Sequence, residues 1–412
     1  MDTFYEPFYL FVPIYPIRNE RCLPVLAALV GKPNCGKSTM FSAATLVDVE
    51  ISNRIFTTIQ PNKGIAYVRA RCPCTELQVR CTPVNSLCRN GTRLLPINIV
   101  DIAGLVPDAH QGRGLGNQFL SDIMQADALI HVVDVSGSTD KDGNPVGPGT
   151  HDPAEDVAFF TQELDYWMLG IVQKMNLGRR VDLREKEFIA ALHKQLAGLG
   201  IALADVEYAA AATGLKQAAP ESAYLQFIEL LRKKSKPITI AANKADVPGA
   251  DKLHERLKER YDAVPCSAAA ELMLRRAAEQ QLVTYAPGDG DFAVSKELDD
   301  RQRKALDIIR ALMKRFGSTG VQQALEKAVF GTLGMIAVYP VENEHKFSDK
   351  QGRVLPDVFL MKKGSTALDL AFKVHEDIGK KFIAAVDART HKSVSASYQL
   401  KHNDTISIKA GR

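Results

Sequence analysis

The stretch "VLAALVGKPNCGKSTMF", residues 25–41, restricts the fold more than any other part of the chain. Its apolar run, Val25–Val30, has the length of a strand buried on both faces, the environment of a parallel sheet. The run leads into Gly31-Lys-Pro-Asn-Cys-Gly36-Lys37-Ser38, a full G-x-x-x-x-G-K-[ST] match between a strand and a helix. Glycines there let backbone N–H groups close around phosphate oxygens, and the following helix turns its positive end toward them. Lys37 would neutralise the β- and γ-phosphates, and the Ser38 hydroxyl would hold Mg2+. The expectation is an α/β protein with a phosphate site at a strand end, contacted by Asn34, Cys35, Gly36, Lys37, Ser38 and Thr39.

At 412 residues the chain exceeds one ordinary core and implies two or three domains. With 46% hydrophobic and 24% charged residues it reads as a soluble globular protein, which excludes disordered and fibrous classes. No apolar run approaches the roughly 20 residues of a membrane span. Residues 1–24 lack a basic start, carry Asp2 and Glu6, and are broken by Pro7, Pro13 and Pro16. They read as a loosely attached extension or as sequence preceding a start further downstream, not as a secretory leader. Seven cysteines without a leader point to a reducing compartment, hence a cytoplasmic protein.

The base is read far downstream. "KPITIAANKAD" is a second buried strand, Ile238–Ala242, ending in Asn243-Lys244-Ala245-Asp246. A carboxylate at Asp246 accepts two hydrogen bonds from the N1–H and exocyclic amine of guanine, a donor pair that adenine lacks. The Lys244 stem would cover one face of the base, and Ser267 and Ala268 stand where a loop would close over it. Alone, N-K-x-D is a weak signal. Placed after the phosphate loop and a D-x-x-G, each at a strand end, it is specific.

Between those motifs lies "RIFTTIQPNKG", where a threonine would complete the Mg2+ shell and sense the γ-phosphate. Thr57 and Thr58 compete for that role, and Thr58 is the expected one. A strand, Ile97–Val100, then delivers Asp101 to touch Mg2+ through water and Gly104 to offer its N–H to the γ-phosphate. Lys37, Thr58 and Gly104 are thus the expected catalytic groups. Leu105 follows, where many such sites carry a glutamine to orient water. His110, nearby, reads as a water-positioning base or, more simply, as an exposed bystander.

Taken together, G-K-P-N-x-G-K-S-T, F-T-T-I-x-P-N, D-I-A-G-L-V and G-x-G-L-G-x-x-F-L resemble the Obg-type GTPases, in the YchF-related branch that carries a C-terminal TGS domain. The resemblance covers residues 25–412. It implies a GTPase with Mg2+, slow intrinsic turnover because a hydrophobic residue such as Leu105 cannot align water, and K+ bound near Asn34 as a substitute for an arginine finger; a plain loop-stabilising role for Asn34 is the other reading. Close YchF proteins have lost N-K-x-D and favour ATP. Here Asn243, Lys244 and Asp246 are intact, so GTP is expected.

The fold expected is therefore a P-loop GTPase domain, a mostly parallel sheet flanked by helices, over residues 25–335, with a helical hairpin inserted at about 150–235. The hairpin is read from two amphipathic, capped segments. Asp152, Pro153 and Glu155 start the first, with Val157, Phe160, Leu164, Trp167 and Ile171 as its stripe; Asp182 and Glu185 start the second, with Phe188, Leu192, Leu196 and Leu199. Residues 138–153 between strand and insertion read as a linker. After a helix stopped by Gly317 and one further helix, Pro340 marks the junction to residues 336–412, whose strand–turn–helix pattern resembles the ubiquitin-like β-grasp of TGS domains.

Relatives of that module accompany enzymes working on RNA or the ribosome, and residues 336–412 carry 13 Lys/Arg against 9 Asp/Glu while the rest of the chain is neutral. A ribosomal or structured-RNA partner, with the protein itself a monomer, is one expectation. A stress or metabolic hydrolase whose TGS domain senses a small ligand is the other. Finally, Cys72, Cys74, Cys81 and Cys88 crowd into 17 residues as C-x-C-x6-C-x6-C. The spacing is irregular for zinc. Both a structural Zn2+ and four unligated thiols in small core sites remain open. Cys35 and Cys266 read as packing residues.

Overall fold

Seven strands form the larger sheet: β1 (Leu26–Val30), β2 (Lys63–Arg71), β3 (Leu87–Arg89), β4 (Thr92–Asp101), β5 (Ala128–Asp134), β6 (Ile238–Asn243) and β7 (Ala263–Pro265). The computed structural model describes residues 25–45, 62–102, 123, 125–174 and 183–411. Strand order is β2-β4-β1-β5-β6-β7, with β3 also paired to β4. The β4, β1, β5, β6 and β7 run is parallel, and β2 and β3 join it antiparallel. All seven residues of β5 are buried, as a central parallel strand requires, whereas β4 alternates buried and half-buried positions.

Parallel pairing aligns the carboxyl ends of β1, β4, β5 and β6 along one rim. Gly31, Asp101, Asp134 and Asn243 stand there. Open parallel sheets bind ligands at that rim.

The insertion between β5 and β6 is larger than a hairpin. Among the described residues four helices fill it: α2 (Pro153–Gln173), α3 (Glu185–Leu196), α4 (Leu203–Thr213) and α5 (Glu221–Ser235), following α1 (Lys37–Thr45) of the phosphate loop. The Asp152 side chain caps α2 from the Ala154 N–H at 2.9 Å, as read from the sequence. The second start differs. Helix α3 begins at Glu185 after Arg184, whose N–H donates to the Glu187 carboxylate, and Asp182 lies outside the described residues. Phe160, Leu164, Phe188, Leu192 and Leu196 join residues of α4 and α5, such as Val206, Phe227 and Leu231, in one buried cluster. The two expected stripes thus meet two more helices. Alanine-rich α4 was hidden because its small residues carry little periodic contrast.

Helix α6 (Ala250–Arg260) packs beside β7, α7 (Ala268–Glu279) against α1, α8 (Asp300–Phe316) joins the cluster with Leu253, Leu257 and Leu274, and α9 (Val321–Glu326) lies across β2 and β6, with a short ribbon, β8 (Val283–Thr284) and β9 (Ala293–Val294). Gly317 ends α8 in the left-handed region, φ 82°, as expected. A π-helical turn, Lys327–Thr332, continues α9 toward the second sheet.

That sheet contains β10 (Met335–Val341), β11 (Phe359–Lys362), β12 (Phe382–Asp387), β13 (Lys392–Val394) and β14 (Thr405–Ala410), ordered β11-β10-β14-β12-β13. Helix α10 (Ala367–Val374) packs Ala367 and Leu370 against Val338, Ala385 and Ile406 in the manner of a β-grasp, followed by the short α11 (Glu376–Lys380). Pro340 is not a junction. It lies within β10, opposite Ile406 of β14 and past the residues that pair with β11, so its missing N–H interrupts no ladder on that side.

Candidate nucleotide-binding site

Gly31 and Gly36 make the phosphate loop possible. Both have positive φ, 144° and 99°, and side chains there would collide with the Val132 carbonyl and the Asn243 amide, respectively. Lys37 is buried, with Nζ donating to the Lys32 carbonyl at 2.8 Å, so its charge is held inside the loop's own turn. The Ser38 hydroxyl donates to Asp101 Oδ2 at 2.6 Å. Asp101 Oδ1 is buried with no hydrogen-bond partner among the described residues. A hydroxyl and a carboxylate in contact, with one orphaned carboxylate oxygen, fit the outer coordination of Mg2+.

At the end of β6, Asn243 joins two loops. Its Nδ2 donates to the Cys35 carbonyl at 2.9 Å, and its Oδ1 accepts from the Ala268 N–H at 2.9 Å. The phosphate loop and the Ser267–Ala268 turn are therefore held by one buried amide. Ser267 itself caps α7 through the Ala270 N–H. Cys35 and Cys266 are buried, and burial pushes both thiols up, which keeps them neutral packing groups as expected.

Lys244 is left-handed, φ 65°, a conformation that costs a non-glycine residue about 1 kcal/mol. Its Nζ reaches Asp134 Oδ2 at 2.9 Å, which supports that turn. Asp134 is fully buried and also accepts from Ser136, Ser138 and Thr139. Burial pushes its carboxyl up, but the hydrogen bonds from Ser136, Lys244 and Thr139 outweigh that and hold it below its ordinary value. Asp246, two residues on, is exposed at the rim.

Residues 138–153 do not act as a linker. They fold back on the phosphate loop, where Asn34 Nδ2 donates to the Gly143 carbonyl at 3.0 Å and Lys32 Nζ donates to the Thr139 carbonyl at 2.9 Å. Lys32 also pairs with Asp156 of α2 at 2.8 Å, both nearly buried, and Asp156 meets His151 Nε2 at 2.8 Å. Sequence reading missed Lys32, Asp134 and Asp156 because the partners that define them, Thr139, Lys244 and one another, are 107 to 124 residues apart in the chain and form no motif. Gly143, within the expected linker, is needed where the loop backbone touches Pro33.

Thr57, Thr58, Gly104, Leu105 and His110 lie outside the described residues. Away from the rim, the ligand atoms of Cys72, Cys74, Cys81 and Cys88 all lie within 4.8 Å of one another.

Three sequence-family models match parts of the chain: an Obg-like GTPase, YGR210-like, G4 motif-containing domain over residues 241–343, a 50S ribosome-binding GTPase over 26–158, and a TGS domain over 347–410. An uncharacterized GTP-binding protein of Methanocaldococcus jannaschii is 50% identical over 391 residues, 93% of this chain and 98% of that protein. The chain belongs to the Obg-like, YchF-related GTP-binding proteins. A solved relative, a GTP binding protein of Pyrococcus horikoshii OT3, is 39% identical with a TM-score of 0.75 and covers 94% of this chain and 100% of its own. The ribosome-binding ATPase YchF of Escherichia coli O157:H7 is more distant, 32% identical over 249 residues, 59% of this Obg-like chain and 65% of YchF. The P-loop GTPase fold with a C-terminal TGS domain is thus the architecture of this protein.

Proposed function

We propose that this protein binds GTP with Mg2+, hydrolyses it slowly to GDP and phosphate, and uses the cycle as a cytoplasmic, monomeric switch on the ribosome or a structured RNA. The observation that carries the reading is the rim itself. Ser38 and Asp101 are in contact, while Asn243 ties the phosphate loop to the turn that would close on the base. In this reading Asn34, Cys35, Gly36, Lys37, Ser38 and Thr39 surround the phosphates, and Asp246 accepts from guanine with Lys244 and the Ser267–Ala268 turn on either side. Mg2+ held by Ser38 and Thr58 would neutralise charge on the phosphates.

Water attacks the γ-phosphorus, the bond to the β-phosphate oxygen breaks, and GDP leaves. Lys37 and the Gly104 N–H stabilise the negative charge that spreads over the transferred oxygens. Leu105 has no polar atom to orient that water, so turnover depends on an added cation, K+ near Asn34, or on a partner. The TGS-type domain is the candidate recruiter of RNA, a reading supported by its net positive charge and by the ribosome-binding name of the YchF relatives.

A second reading, in which that domain senses a small ligand, is favoured by one observation. An open cavity of about 590 Å3 there is lined by Glu342, Glu344, His345, Lys346, Asp349 and Lys409, among others. Co-sedimentation with ribosomes in GTP, GDP and non-hydrolysable-analogue states separates the two. A nucleotide-dependent ribosome fraction is expected. Sedimentation that is absent, or equal in all three states, favours the sensor.

A further inference from the structure

We propose that Cys72, Cys74, Cys81 and Cys88 bind one structural Zn2+, and that this ion fixes the loop on which the C-terminal domain docks. Irregular spacing in the sequence is resolved by the backbone. The turn Pro73–Thr75 brings Cys72 and Cys74 to one side, and the β3–β4 hairpin returns Cys88 to them. Cys81 comes from the loop between. Four thiols from 17 residues thereby converge, with Cys74 and Cys88 sulfurs 3.9 Å apart and every pair within 4.8 Å. Tetrahedral zinc with Zn–S of about 2.3 Å places its sulfurs about 3.8 Å apart. Small side-chain rotations would close that gap. The thiols are too close together to enclose an iron–sulfur cubane, so the site is one for a single ion.

A second observation comes from charge. Arg93 stands opposite Cys88 in the β3–β4 register and is fully buried, yet its Nε and Nη1 have no hydrogen-bond partner among the described residues. Its Nη2 donates to the Leu355 carbonyl at 2.5 Å, and the guanidinium lies over the Tyr339 ring. A carbonyl and a ring face do not by themselves balance a buried cation; the half-buried Asp357 carboxylate supplies part of the opposing charge. Four thiols that release four protons to bind Zn2+ become a centre of net charge −2, which adds anionic charge beside Arg93.

The same loop holds the second domain. Thr82 N–H donates to the Val354 carbonyl at 2.8 Å and Val84 N–H to the Pro356 carbonyl at 2.7 Å, while Asn85 exchanges two hydrogen bonds with Val358. Residues 82–85 thus lie like an added strand on residues 354–358, which precede β11. Cys72, Cys74, Leu95, Tyr339, Val341 and Leu355 share one buried cluster beneath this seam. Leu77 and Val79 pack this loop on the same cluster and Glu76 pairs with Arg389 at 3.3 Å, and the ion would fix the four cysteines between these anchors.

The test is metal analysis of full-length protein purified without added metal or chelator, followed by hydrogen exchange. About one zinc per chain is expected, with Cys81→Ser losing it. Should that variant fail to fold, wild-type protein grown with cobalt gives the same answer through the intense visible absorption of tetrahedral cobalt thiolate. Removing the metal is expected to raise deuterium uptake at residues 354–358 in the C-terminal domain. Zinc-free protein whose four thiols all react at once in the native state overturns the site, as does one equivalent of iron in place of zinc. Unchanged uptake at 354–358 after metal removal overturns the docking role.

Discussion

Ser38 and Asp101, 63 residues apart in the chain, touch through a hydrogen bond of 2.6 Å that spans the first turn of α1 and the last residue of β4. Burial pushes the Asp101 carboxyl above its ordinary value, and the Ser38 bond and the Lys37 charge offset this only in part. A raised folded-state value means that ionising Asp101 works against the metal-free fold. The penalty is absent below the unfolded value, about 3.9, and grows as pH climbs to the folded one.

At neutral pH, Asp101→Asn should therefore leave the metal-free protein at least as stable as wild type. Mg2+ and GTP at a hundred times Kd should stabilise wild type by about 2.7 kcal/mol and the variant by little. Thermal melts with and without Mg2+·GTP measure both. Equal ligand stabilisation of the two proteins would remove Asp101 from the metal site.

Asn243→Ala and Asp246→Asn should behave differently although they are three residues apart. The first breaks two buried hydrogen bonds, to Cys35 and Ala268, at about 1–3 kcal/mol, and should weaken every nucleotide alike. The second changes one exposed carboxylate and should shift preference from guanine to xanthine, whose C2 carbonyl can accept from the new amide. Direct titrations with GTP, XTP and ATP decide it. Wild-type protein that binds ATP as tightly as GTP would sink the base assignment.

Asp134 should make the rim acid-sensitive. Its carboxyl is held below the ordinary value, so its stabilising effect is present above about pH 3.9 and is lost as pH falls through the lowered folded value. Asp134→Ala should cost about 3 kcal/mol at pH 7, since Lys244 and three hydroxyls lose a buried acceptor. Urea unfolding at a pH below the folded value should show that difference shrinking. A cost independent of pH would mean that packing, not charge, is what Asp134 supplies.

GTP turnover should rise when K+ replaces Na+, and Asn34→Ala should erase the difference. That variant gives up one bond to Gly143, worth about 1 kcal/mol, so GTP affinity should fall by no more than about fivefold. Leu105→Ala should leave the chemical step nearly unchanged. Equal wild-type rates in the two salts would take K+ out of the mechanism and leave stimulation to a partner.

By itself the sequence determined the parts whose physics is local. A buried strand, two glycines that must take positive φ, and Lys37-Ser38 at a helix start define a phosphate loop wherever they occur in that order. Asn243 and Asp246 at a strand end follow the same logic, as do the Asp152 cap and the Gly317 stop. Tertiary structure decided what depends on partners distant in the chain. Lys32 beside Asp156, Asp134 beneath Lys244 and the 138–153 loop against Asn34 have no fixed spacing, because the sheet, not the chain, brings them together. The alanine-rich third helix of the insertion needed neighbours to bury it. Pro340 fits β10 because the ladder on one side has already ended, a fact about pairing that no local pattern carries. The four cysteines show the division most clearly. Their spacing left zinc and bare thiols open, and only the turn at Pro73 and the return of β3 put four sulfurs within 4.8 Å of one another beside a buried Arg93.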